Sequence, residues 1–171
     1  MTEIKEILWL FPILFIFHDL EEIILIKWWI RKNKVFLSEK FPKLSKRILP
    51  HFDNITTAAF SLGVAEEFII ITMVTVVSYI TSWYNLWAGL FFAFFLHLVI
   101  HCAQGIIAFK YIPSLVTSIM CLPLCIYISR IIMETLTVNI IIIYTVSSFI
   151  IMIINLAVIH KVMENFSRWS S

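Results

Sequence analysis

The sequence predicts an all-α, polytopic transmembrane helix bundle of about five spanning helices in a single domain covering residues 1–171. Three observations carry this. Of 171 residues, 61% are hydrophobic and only 14% are charged, too few to clothe a soluble domain of this length. The apolar residues fall in stretches long enough to cross a bilayer, which takes about 20 of them. The Lys and Arg residues gather on alternate connections between those stretches.

The predicted spans are residues 7–30, 55–80, 86–109, 115–133 and 140–160. The first carries acids in its middle but is strongly apolar on both sides of them, so it reads as a retained helix rather than a cleavable signal. The fourth contains Pro123, which predicts a kink or an interfacial, re-entrant course. The connection 31–54 holds Arg31, Lys32, Lys34, Lys40, Lys43, Lys46 and Arg47 against two acids, Glu39 and Asp53. That excess predicts a cytoplasmic, surface-lying segment drawn to anionic headgroups. The N-terminus is then outside, the C-terminus inside, and the expected location is the cell membrane. Lys110 and Lys161 fall inside, Lys5 and Arg130 outside, so an odd number of spans fits the whole pattern. Trp83, Tyr84 and Trp87, and at the other face Trp28 and Trp29, are expected in aromatic belts.

The chain has three Gly and no glycine-rich phosphate loop. No nucleic-acid partner is expected; the bilayer is the expected surrounding, with a lipid-like substrate and a homodimer as further partners. The three Cys all fall in apolar stretches, where Cys121 and Cys125 read as packing residues.

Ionisable residues interrupt the apolar stretches. The first span contains His18, Asp19, Glu21 and Glu22, the second Glu66 and Glu67, and the third His97, His101 and Gln104. Each such side chain at a helix centre costs at least about 2.5–3.5 kcal/mol, so together they must face the bundle interior. Helical spacing puts His18, Glu21 and Glu22 on one face and His97, His101 and Gln104 on another. Asp19 points about 100° from His18 and ranks below the others. Of Glu66 and Glu67, spacing alone does not choose the inward one. Counted from the outer helix ends at about 1.5 Å per residue, His18 and His97 lie near 16 Å deep. The Glu residues and His101 lie between roughly 19 and 23 Å, so all reach one level.

The run His18-Asp19-Leu20-Glu21-Glu22 resembles the signature of the HXXEE family of small integral membrane proteins. That resemblance implies a further histidine, for which His97 or His101 serves, and a Tyr-x-Pro-Gly element. Tyr111-Ile112-Pro113-Ser114 is similar to the latter, with Ser114 where Gly is expected. Gly would permit a positive φ there that Ser resists. The resemblance implies no activity.

Imidazoles and carboxylates at one depth suit a divalent metal: zinc, iron or manganese. His18, Glu21, Glu22, His97 and His101 are the candidate ligands. Glu22, Glu66 and Glu67 are the candidate catalytic carboxylates, one of them a general base taking a proton from water. The expected function is an intramembrane metal-dependent enzyme, a hydrolase or oxygenase acting on a hydrophobic or lipid-like substrate. The alternative is a small proton- or ion-coupled transporter using the same residues. A third reading is a structural network of His and protonated Glu. His51 and His160 are expected to meet solvent or headgroups, and Asn155 to bond between helices.

Overall fold

The computed structural model describes residues 2–170, all of whose regular elements are helical. In chain order they are α1 (Thr2–Ile7), α2 (Leu10–Lys40), α3 (Pro42–Asn54), α4 (Thr57–Thr81), α5 (Asn85–Ala108), α6 (Leu115–Thr135) and α7 (Val138–Ser170). The protein is an all-α bundle, and the bundle is that of a membrane protein. α4, α5, α6 and α7 are each long and apolar enough to cross a bilayer. α2 is longer than three of them at 31 residues, but its acids break the apolar run that such a span requires.

The helix boundaries depart from the predicted ones where local chemistry decides. The first predicted span is broken before Leu10, and the short α1 before the break packs against α6. α2 then runs on through the basic connection to Lys40, with a non-helical step at Asn33 (φ −112°, ψ 16°). There the Asn33 side chain donates to the Trp29 carbonyl at 2.9 Å and accepts from Lys110 Nζ at 3.3 Å. The rest of the connection is α3, which starts on Pro42, the position where a missing N–H costs nothing. Lys34 pairs with Asp53 at 2.9 Å and holds α3 against α2. α6 runs unbroken through Pro123, about 31 Å long at 1.5 Å per residue, so the re-entrant alternative does not hold. α7 continues past residue 160, to Ser170.

α5 is the central helix, packed against α4, α6 and α7, while α2 lies against α3, α4 and α6. At the end where α4 turns into α5, Phe11, Trp87, Phe91 and Phe94 form a closed aromatic core. Phe11 meets Trp87 and Phe91 edge-on at 6.0 and 5.7 Å, and Trp87 stacks on Phe91. Trp87 and Tyr84 are therefore buried, not belt residues; Trp83 and Trp28 are exposed. Trp29 is also turned inward, its Nε1 donating to the Tyr111 carbonyl at 2.6 Å. At the other end, the α3 end, Trp29, Ile30, Leu37, Ala108 and Ile112 make a second small core. Cys121 and Cys125 are buried in the main core, as packing residues are.

α5 and α7 approach closely at Gly89. A Cβ there would stand 2.5 Å from the Tyr144 carbonyl oxygen and 2.8 Å from Ser148 Oγ. Backbone cannot move aside as a side chain can, and small residues are what let membrane helices approach. Gly89→Ala is expected to lower stability by about 1–3 kcal/mol, read as a fall in Tm of the detergent-solubilised protein. Gly63→Ala is expected to cost less, because its Cβ would first meet the flexible Met163 Sδ at 2.7 Å; equal losses would contradict this packing account.

Candidate metal centre

The site is built where α2 passes between α6 and α4. At about 100° per residue, Glu21, His18, Glu22 and Asp19 fan around α2 in that order over roughly 160°. Their neighbours change along that fan, from α6 through α5 to the cavity.

Glu21 faces the N-terminus of α6. One carboxylate oxygen accepts from the Thr117 backbone N–H at 2.8 Å and from Thr117 Oγ1 at 2.7 Å. The other accepts from the Tyr111 hydroxyl at 2.5 Å. Ser114 is the N-cap residue of α6 and makes no side-chain cap bond, so Glu21 caps the helix from outside, where the helix dipole favours an anion. Tyr111 lies in the α5–α6 loop. Desolvation first, and then the bond to Glu21 and its charge, push this phenol above its ordinary pKa, so it stays a donor.

His18 is fully buried. Its Nδ1 lies 3.2 Å from Thr117 Oγ1. The hydroxyl has one proton, and the 2.7 Å contact commits it to the Glu21 carboxylate. Thr117 therefore accepts from His18 Nδ1–H. That fixes the tautomer and leaves the Nε2 lone pair pointing away from α6. Nε2 is buried with no hydrogen-bond partner among the described residues.

His97 and His101, one turn apart on α5, complete the group. Their rings lie 4.4 Å apart, and each lies within 5.3 Å of the His18 ring. The two Nε2 atoms are 3.0 Å apart. One ligating nitrogen from each of the three histidines falls within 4.8 Å of the others. Tetrahedral ligands at about 2.0–2.1 Å from a metal stand roughly 3.3 Å from one another, so the three rings would draw together by up to about 1.5 Å to hold an ion. Glu22 reaches the same place, its Oε1 3.6 Å from His101 Nε2.

The far side of α2 faces a cavity of about 350 Å³. Asp19, Glu22, Glu67 and His97 form one polar band in a lining contributed by α2, α3, α4, α5 and α7, where Asn155 and His160 of α7 are the other polar residues and the rest are apolar. Asp19 is buried with Oδ2 unbonded among the described residues, and Glu67 Oε1 is in the same condition. Sequence spacing underrated Asp19 because it measured angles from His18 and not from the cavity. Of the acidic pair on α4, Glu67 faces the cavity, while Glu66 accepts from Asn155 Nδ2 of α7 at 3.0 Å. Gln104 is exposed and takes no part. Thr117 was not foreseen: a single Thr near a helix start carries no sequence signal of its own.

Ser114 sits at φ 72°, ψ −1°, the left-handed region that Gly adopts without cost. The Tyr111–Ser114 turn thus has the shape that a Tyr-x-Pro-Gly element requires, with Pro113 buried beneath it. Ser114→Gly is expected to stabilise the fold by about 1 kcal/mol, measured as a rise in Tm with unchanged helix content. No rise would mean that the Ser114 side chain compensates the strain.

An all-α membrane bundle with a buried three-histidine, multi-carboxylate centre is the class these features define. The chain belongs to the family described as proteins of unknown function with an HXXEE motif, whose model matches residues 9–128. The motif residues are His18, Glu21 and Glu22. No curated protein and no solved structure matches the chain.

Proposed function

We propose that this protein is an intramembrane metal-dependent enzyme that acts on a hydrophobic, lipid-like molecule entering from the bilayer. The observation that carries the reading is the convergence of His18, His97 and His101, with a buried His18 Nε2 that has no hydrogen-bond partner among the described residues. Imidazole with carboxylate suits zinc, iron or manganese. His18, His97 and His101 would hold the ion, with Glu22 as the fourth donor. A bound ion would supply Lewis-acid polarisation of an oxygen atom of the substrate or of water.

The chain's own residues divide the remaining work. Glu67 and Asp19 stand in the cavity wall beside the centre, where either can take or return a proton during the reaction. Glu21 is not a ligand in this reading: both its oxygens are engaged by α6 and Tyr111. It acts through Thr117 to orient His18, as outer partners of metal-bound histidines do. The apolar cavity excludes bulk water and accepts a hydrocarbon chain. The closed aromatic core above the centre favours a dead-end site over a transport path, which would need polar residues to both faces. In the orientation given by the Lys and Arg residues, the α3 end and the C-terminus are cytoplasmic and the α4–α5 turn is outside.

Two measurements test the reading. The purified protein, in detergent and analysed by ICP mass spectrometry, is expected to carry near-stoichiometric zinc, iron or manganese. The His18→Ala, His101→Ala double variant is expected to carry little. Equal metal in both, or none in either after reconstitution, removes the metalloenzyme reading. Second, Thr117→Val deletes the hydroxyl but keeps the backbone bond that caps α6. It is expected to weaken metal affinity about 10–100-fold, with Thr117→Ser restoring it. Loss of helix content in the Val variant would instead mark Thr117 as structural.

A further inference from the structure

The cavity changes character along its length. Toward the α4–α5 end its lining is Phe11, Phe15 and Leu90; in the middle lies the band of Asp19, Glu22, Glu67 and His97; toward the α3 end come Phe52, His160 and Met163. On α2 alone the lining runs from Phe11 to Ile26, about 22 Å at 1.5 Å per residue. A volume of about 350 Å³ spread over that length is a slot, and it lies at the small end of ligand sites at roughly 300–1,000 Å³. It suits one extended chain. The lining includes Ile70 and Ile151, which are 38% and 57% exposed on α4 and α7, so the slot reaches the lipid-facing surface between those helices.

The α3 end of the slot is polar and basic. The His160 ring lies 4.7 Å from the His51 ring, and His51 Nδ1 lies 3.3 Å from Glu164 Oε1. Arg47 precedes His51 by one turn on the same face of α3. Lys43, Lys46 and Arg47 are all exposed, and the one acid of α3, Asp53, is engaged by Lys34. This helix therefore presents more positive than negative charge beside the mouth, where Glu164 of α7 is a carboxylate facing His51.

We propose that the slot binds one anionic single-chain amphiphile, with its carboxylate or phosphate at His51, His160 and Arg47 and its tail running past the His/Glu band toward Phe11 and Leu90. The inference deepens the enzymatic reading by naming its substrate class, and it rests on that reading only for the chemistry, not for the binding. Its consequence is positional. Asn155, which lines the slot and bonds Glu66 next to Glu67 of the band, is five residues of α7 from His160, about 8 Å, so the polar band meets the chain of the amphiphile and not its head.

The test uses the full chain reconstituted in phosphatidylcholine vesicles. Two long-chain diazirine fatty acids, one labelled at the terminal carbon and one near the carboxyl group, are photolysed and the labelled peptides mapped. The terminal label is expected on peptides holding Phe11, Phe15 or Leu90, and the carboxyl-proximal label on those holding Phe52 or His160. Excess unlabelled fatty acid or geranylgeranyl monophosphate should compete, the stronger of the two identifying the head. The matching fatty alcohol should compete at least about tenfold less well. His51→Ala with His160→Ala, and separately the exposed Arg47→Glu, should lower labelling severalfold. Leu156→Trp, which fills the slot, should abolish it. The reverse register, equal competition by the alcohol, or labelling indifferent to Leu156→Trp would overturn the proposal. Metal content measured on the same samples keeps the two readings apart. Specific labelling without metal leaves the amphiphile site and removes the metal centre; metal without specific labelling does the opposite.

Discussion

A carboxylate that reaches the end of another helix organises this bundle. Glu21 sits between two strongly apolar stretches of α2, where an unpaired charge is costly. It is satisfied by three donors from the α5–α6 loop and the start of α6: the Tyr111 hydroxyl, the Thr117 N–H and the Thr117 hydroxyl. The same contacts relieve the start of α6, whose first N–H groups have no partners within the helix. Two deficits in separate elements cancel. In doing so they fix the rotation of α2, and with it where His18, Glu22 and Asp19 point. Both the strained turn at Ser114 and the buried His18 tautomer follow from holding this one geometry.

Much of this was legible in the sequence, and the limits have physical causes. The interior His and Glu residues stood out because bilayer energetics forbids them elsewhere, and the three sets were brought to one depth by counting residues along helices whose direction alternates. Depth is linear in residue number and survives errors of a few residues at helix ends. Angular position is less forgiving. His18 and Glu22 were grouped correctly with Glu21 on one side of α2, but the neighbours that divide that side were not visible. α6 takes Glu21, α5 takes His18 and Glu22, and the cavity takes Asp19 and Glu22. The choice between Glu66 and Glu67 depended in the same way on where α7 brings Asn155.

The termini of the helices were read least well. The basic connection, expected as a surface-lying segment with no secondary structure assigned to it, continues α2 and then forms α3. Hydropathy marks where a helix leaves the hydrocarbon and says nothing about where hydrogen bonding stops. Trp29 shows the same limit. Its position at an apolar boundary matched a belt residue, but a carbonyl of the Tyr111 loop was within reach of its Nε1, and burial followed.

The fan of residues around α2 also explains why the motif needs two adjacent glutamates. Successive positions on a helix are about 100° apart, so Glu21 and Glu22 cannot serve the same neighbour. One binds the α6 terminus, and the other meets His101 and the cavity. His18, three residues before Glu21 and four before Glu22, lies angularly between them and is held by Thr117 on one side while it faces the α5 histidines on the other. A single glutamate would leave either the helix cap or the centre unserved. The His-x-x-Glu-Glu spacing is thus the shortest run on one helix that both anchors a neighbouring helix and presents an imidazole and a carboxylate to a shared interior point.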